Sequence, residues 1–289
     1  MIPITPEYLR PRLLRREADT HKRNYGHLLV IAGCERMPGA AVLATGAALQ
    51  SGCGLVTLHS TSRALQAVVT TCPSAMLSEE TEEHFCTSPL SLRKYAAVAV
   101  GPGLGRAAGT MNAMMDLLSI AVSEDVPMVL DADALNILSY TPDWVSLVPR
   151  GSILTPHMGE LRRLFPFGSD DEKVLLAREL CVYTGCTLVL KGFHTRVFTE
   201  DGDILINMTG GPSLAKGGSG DVLTGLVGGL LARGYSHQMA AALGVWIHGY
   251  TGDALAAERS EEAFSSRDLM DSLWKGFKAL ACAGHWHKP

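Results

Sequence analysis

The stretch KGGSGDVLTG, Lys216 to Gly225, sets three glycines and a serine ahead of one carboxylate, Asp221, and then runs apolar through VLTGLVGGLLARG. A helix that starts there leaves its first amides unbonded and carries about half a positive charge, so Gly217, Gly218, Ser219 and Gly220 can wrap an anion such as phosphate. A carboxylate in the same cradle repels that anion unless it faces another group, for example a hydroxyl that has to lose its proton. Amides that hold a phosphoryl group beside an acid that deprotonates the acceptor are the parts of phosphoryl transfer to an alcohol. Asp221 is equally readable as the cap of the helix that follows.

Other chemistry-bearing residues cluster at the ends of apolar runs. GPGLG brings Gly101, Gly103 and Gly105, which suit a close backbone approach to a ligand or a plain tight turn; the G-x-G-x-x-G and G-x-x-x-x-G-K-[ST] spacings are absent. DADALN brings Asp131, able to order a metal-bound water or to bond loop amides, and Asp133, read as the cap of the helix ALNIL. TPHMGE brings His157 and Glu160: Glu160 can help hold a hydrated Mg2+ or simply favour a helix start, and His157 alone reads as packed or solvated. Lys191, in LKG, either meets an anionic ligand or snorkels to the surface. HWH at His285 to His287 is the one close histidine pair and does not make a structural zinc site.

The elements that place these residues are legible as alternation. Short runs rich in Val, Ile and Leu occur at 27–33, 55–60, 96–101, 127–133, 152–157 and 187–192, with helical periodicity in segments such as AAVLATGAALQSG and MNAMMDLLSIAVSE between them. Continuous apolar strands mean burial on both faces. The reading is an α/β fold, a mostly parallel sheet flanked by helices on both faces, with an edge hairpin at 196–199 and 204–207 and helices over 220–233, 238–258 and 265–281. In such a sheet ligands lie beyond the carboxyl ends of the strands, where the motifs fall. No repeat or Pro/Ser linker divides the chain, so 1–289 reads as a single domain with 1–24 as a helical leader.

With 47% apolar and 19% charged residues in 289, the chain can bury a large core. A formal net charge of −4, with basic residues clustered only between Arg10 and Arg23, gives no support to nucleic acid binding. Seven cysteines without C-x-x-C, and no apolar signal core in the opening residues, point to a reduced, cytoplasmic setting; the apolar stretches are too short to span a membrane. The apolar helix AALGVWIHGYTGDALA reads either as core or as a subunit contact, which makes a homo-oligomer the expectation.

Taken in order, GPGLG, DADALN, TPHMGE, LKG and NMTGGPSLAKGGSGDVLTG resemble the ribokinase-like superfamily and, within it, the ADP/ATP-dependent NAD(P)H-hydrate dehydratases, over about Tyr25 to Ala281. The last motif is the specific one. The resemblance implies a repair enzyme that takes the hydrated form of NADH or NADPH, uses ADP or ATP with Mg2+, and restores the cofactor. It implies Asp221 as the base and a hydrate contact, with Ala40, Gly103 and His157 lining the hydrate pocket. Lys191, Gly192, Phe193, His194 and Thr195 would line the nucleotide site, and Gly217, Gly218, Ser219 and Gly220 would hold its phosphates.

PHMGE is also similar to the P-N-x-x-E of sugar kinases, with His157 in place of asparagine, which implies a metal-ordering role for Glu160 through water. Met208, Gly211, Pro212 and Ser213 depart from the family's N-P-T-G-N-P-G-M-A approach to the glycine turn. Epimerisation of the hydrate is expected from a separate NAD(P)H-hydrate epimerase. Two other functions compete: a kinase of the same fold acting on a vitamin-precursor alcohol such as a hydroxyethylthiazole or pyrimidine alcohol, and a nucleotide-binding regulator with a dead site, which an intact Asp221 disfavours.

Overall fold

Ten strands join one sheet in a computed structural model that describes residues 1–281. Cys282 and the histidine pair at His285 and His287 lie outside the described residues. The strands are β1 (Ile2–Pro3), β2 (His27–Ile31), β3 (Leu55–Thr61), β4 (Met76–Glu80), β5 (Ala97–Val100), β6 (Met128–Leu130), β7 (Ile153–Leu154), β8 (Thr187–Leu190), β9 (Arg196–Phe198) and β10 (Ile204–Ile206). Their order is β1-β10-β9-β8-β7-β6-β5-β2-β3-β4. Every pair is parallel except β8 with β9 and β9 with β10, so the mostly parallel sheet and the β9–β10 hairpin are present as read, but the hairpin is not itself the edge, because β1 pairs outside β10.

The unbroken apolar runs follow from burial on both faces. Leu28 and Val30 of β2 enter one core with the helices Pro38–Leu49, Ser219–Ala232 and His237–Arg259; Leu29 and Ile31 enter the other with the helices Ala108–Ser123 and Asp170–Thr184. The helix His237–Arg259 buries Ala240 through Gly249 inside the chain's own core, so core packing accounts for its apolarity. Its neighbour, Ser219–Ala232, approaches the Pro38–Leu49 helix on glycine: a Cβ on Gly225 would lie 2.7 Å from the Ala44 carbonyl carbon.

Three other readings need correction. The leader is mostly irregular, with β1, one turn of helix at Pro6–Leu9 and two 3-10 turns: Ile4 and Leu9 reach the core, but the polar run 15–24 has no apolar face to hold a helix against it. The last helical stretch is two helices, Ser266–Asp271 and Trp274–Ala281, broken at Ser272. Edge strands β1 and β4 carry too little apolar pattern to be seen in the sequence.

The sheet's direction reverses between β2 and β5. From β2 the chain steps to β3 and β4, and from β5 it steps the other way through β6, β7 and β8. That leaves a crevice at the carboxyl ends of these two strands, the general ligand position of open α/β sheets.

Candidate active site

Gly33, after β2, donates its N–H to the Pro102 carbonyl after β5 at 2.8 Å, which stitches the two loops at the crevice. Gly103 has φ 65°, and a Cβ there would lie 2.7 Å from Ala40 Cβ and 3.2 Å from Met37 Cβ. Ala40 and Gly103, distant in sequence, therefore adjoin in space. Asp133 does not cap its helix: the helix starts at Ala132, and Asp133 accepts from the Gly105 N–H at 2.8 Å, bracing the glycine loop.

Asp131 connects this crevice to the glycine turn. Its main chain abuts Gly101, where a Cβ would lie 2.8 Å from the Asp131 carbonyl carbon, and its carboxylate sits 3.7 Å from the Cβ position of Gly220. Both its oxygens are engaged, one by Lys191 Nζ at 2.6 Å and one by Thr224 Oγ1 at 2.6 Å. Lys191 Nζ is also 3.8 Å from Glu160 Oε2. Burial disfavours the Lys191 charge, but Asp131, Glu160 and Asp221 outweigh it and hold the ammonium above its ordinary pKa. Lys191 is thus neither a surface lysine nor free; it is a half-buried cation, its side chain 19% exposed, held among carboxylates at the cavity wall.

His157 and Glu160 cap the Met158–Leu164 helix reciprocally. His157 Nδ1 accepts from Glu160 N at 3.1 Å, which fixes the proton of the neutral ring on Nε2, and Glu160 accepts from His157 N at 2.8 Å. Burial, then the charge of Asp131, raises the Glu160 carboxyl against the opposing pull of Lys191.

The turn ahead of the Ser219–Ala232 helix is unusually rich in free donors. Ser219 N bonds to Lys216 O at 3.3 Å, but among the described residues the amides of Gly217, Gly218, Gly220 and Asp221 donate to nothing. His248 Nε2 donates to Ser219 O at 2.9 Å; burial drops its pKa to about 4, so it holds the turn as a neutral ring and adds no charge. Asp221, at the third helical position, accepts no hydrogen bond from its own helix, which separates it from the capping carboxylates Glu160 and Asp268. Burial and the charge of Asp131, with a smaller push from Asp133, carry its pKa up to about 6 while Lys191 pulls the other way. It remains mostly ionised at neutral pH and close to titrating, which is the condition of a useful general base.

A cavity of about 780 Å³ opens onto this turn, a volume within the usual range for small-ligand sites. Of the residues assigned above, His157, Lys191, Gly192, Phe193, Thr195, Ser219 and Gly220 line it; His194, Gly217, Gly218 and Asp221 do not, and Ala40 and Gly103 sit at the adjoining crevice. Phe193 is 84% exposed at the rim and stacks on His194 with ring centroids 3.9 Å apart. Thr224, Lys216 and His248 carry no site role in the sequence reading, and Asp131, read there as ordering a metal-bound water or bonding loop amides, instead pairs with Lys191 and Thr224. Their partners are remote along the chain, and Asp131 with Thr224 spans 93 positions.

Comparison with known proteins follows the same geometry. Residues 28–275 match the model of a family described as NAD(P)H-hydrate dehydratase. The "Bifunctional NAD(P)H-hydrate repair enzyme Nnr" of Moorella thermoacetica is 36% identical over 93% of this chain, which spans about half, 52%, of that relative's length. The "ADP-dependent (S)-NAD(P)H-hydrate dehydratase" of Bacillus subtilis is 33% identical over 95% of this chain and 98% of its own. A crystal structure of the ADP/ATP-dependent NAD(P)H-hydrate dehydratase from Bacillus subtilis, co-crystallized with ATP/Mg2+, superposes with a TM-score of 0.84 at 31% identity, covering 96% of this chain and 98% of that one.

Proposed function

The chain belongs to the NAD(P)H-hydrate dehydratase family, and from that premise we propose that it restores NADH or NADPH from the hydrated nicotinamide ring at the expense of ADP or ATP. The observation that carries the reading is the pairing of four unbonded amides with an uncommitted carboxylate, Asp221, beside a nucleotide-sized cavity. The Bacillus subtilis relative's structure with ATP/Mg2+ supports a nucleotide as the occupant.

The chemistry follows from leaving-group ability. Hydroxide leaves a ring carbon poorly. Asp221 takes the proton of the ring hydroxyl as its oxygen bonds to the terminal phosphorus, and the bond from that phosphorus to the nucleotide's bridging oxygen breaks. The hydroxyl is then a phosphate ester. The ring nitrogen's lone pair expels inorganic phosphate, and a proton lost from the neighbouring carbon restores the double bond. The free amides of Gly217, Gly218, Gly220 and Asp221 hold the donor's negative charge, and Lys191, poised among Asp131, Glu160 and Asp221, adds a fixed cation on the same side. The Ala40–Gly103 crevice takes the hydrate, because any side chain at Gly103 would fill it. Exposed Phe193 offers the cavity rim a flat apolar surface for the adenine.

Among the described residues no group of three or more His, Cys, Asp or Glu is arranged to hold a metal. With both Asp131 oxygens engaged, Glu160 and Asp221 are the acids left to face a cation that arrives on the nucleotide. That fits Mg2+, which keeps most of its waters and binds through one or two carboxylates plus substrate phosphates. When bound it supplies charge neutralisation on the phosphates.

The test is to offer hydrated NADH with ADP or ATP and follow the return of reduced-nicotinamide absorbance. Recovery with either nucleotide supports the dehydratase. No recovery, together with phosphorylation of a hydroxyethylthiazole or pyrimidine alcohol, replaces it with a kinase of the same fold.

A further inference from the structure

Lys216 opens the glycine turn, and a lysine beside a phosphate cradle reads at first as a phosphate contact. Its ammonium is directed elsewhere. Nζ donates to the carbonyls of Glu261 at 2.8 Å, Glu262 at 3.3 Å and Phe264 at 2.8 Å, and lies 4.0 Å from the centroid of the Phe264 ring, itself buried. All three of its donors are used. The same segment reaches the turn a second time, where Ser266 Oγ donates to Gly217 O at 2.7 Å, and a Cβ on Gly218 would lie 3.1 Å from Ser266 Cβ.

We propose that Lys216 is a positioning residue, whose ammonium fastens the segment 261–266 across the glycine turn and so aims the turn's free amides at the nucleotide. The coupling is geometric. In a trans peptide the C=O of one residue and the N–H of the next point opposite ways, and the described chain has no cis bonds. Ser266 on Gly217 O therefore turns the Gly218 N–H away from the segment, and His248, from the neighbouring helix, on Ser219 O turns the Gly220 N–H away from its own ring. Gly218 has φ 89°, a conformation with little intrinsic preference of its own, so side chains from outside the turn have to select it. Three carbonyls of one short loop converge on a single cation, and that convergence needs the ammonium to offset their mutual repulsion.

This rests on the glycine turn binding a nucleotide, and the test separates the two claims by measuring binding without turnover. ADP and ATP are titrated calorimetrically into wild type, Lys216→Ala, Lys216→Met and Ser266→Ala, each first checked for a cooperative thermal transition; kcat on hydrated NADH is read at saturating nucleotide. The expected result is a nucleotide Kd raised about tenfold in both Lys216 variants, about the size of one charge-assisted bond, with kcat within about twofold of wild type. Propylammonium, but not propanol, restores affinity to Lys216→Ala alone, since Met fills the channel without supplying a charge. Ser266→Ala shifts Kd in the same direction, and it carries the test if the Lys216 variants do not fold. Wild type that binds neither nucleotide overturns the nucleotide reading itself. Wild-type affinity in the Lys216 and Ser266 variants, or a kcat loss as large as the Kd change, overturns the positioning role.

Discussion

Asp221→Asn removes a charge and keeps the side chain's shape, and it should make the protein more stable in a pH-dependent way. Burial first, and the charge of Asp131 second, lift the Asp221 carboxyl from its ordinary 3.8 to about 6. A carboxyl that holds its proton more tightly folded than unfolded stabilises the fold below the unfolded value, and that contribution is lost as pH rises through the folded one. The charged form therefore costs the fold about 2 pKa units above pH 6, or roughly 3 kcal/mol at 1.36 kcal/mol per unit. About 1 kcal/mol of this is already present near pH 4.5, so the variant's advantage should grow by about 2 kcal/mol between roughly pH 4.5 and 7.5; water reaching the carboxylate reduces that toward 1. Urea denaturation of both proteins at the two pH values, with equal m, measures the difference directly. An advantage that does not change with pH, or one that shrinks as pH rises, refutes the claim that the site holds this carboxylate against its preference.

Other outcomes follow from the same geometry. The pH profile of kcat/KM should fall with unit slope below about pH 6 as Asp221 takes a proton, and Asp131→Asn should move that limb to lower pH by removing a like charge. Lys191→Met leaves the Asp131 carboxylate, 2% exposed, without its cation and should cost about 3–5 kcal/mol of stability, much of it recovered in Lys191→Met/Asp131→Asn; thermal and urea melts of the three variants decide this. Gly225→Ala drives a methyl into the Ala44 backbone and should destabilise by about 1–3 kcal/mol while leaving nucleotide contacts in place, as urea titration and calorimetry would show.

What the sequence revealed divides along physical lines. Strands buried on both faces and helices with long apolar stretches are written locally, so the sheet, the crossovers and the GGSGD turn were legible from periodicity and glycine spacing. Asp221 was open between cap and base because both uses want an acid in the first helical turn; only the absence of any hydrogen bond to its own helix separates them. Asp133 misled for the same reason, since an acid near a helix start can turn to a loop 28 positions away instead. Asp131 was legible as an acid at a strand end, but its partners Lys191 and Thr224 lie 60 and 93 residues on, and no local pattern encodes that meeting. His248 sits mid-helix, where a histidine on an apolar face looks like any packed residue until Ser219 arrives beside it.

The central claim is that amides gather the donor while Asp221 deprotonates the acceptor, and the most direct measurement compares Asp221→Asn with wild type on hydrated NADH at saturating nucleotide, with nucleotide Kd determined alongside. The account predicts a kcat lowered by about a hundredfold or more, the usual contribution of a positioned base, with Kd essentially unchanged. Undiminished turnover, or a loss that resides wholly in Kd, contradicts it.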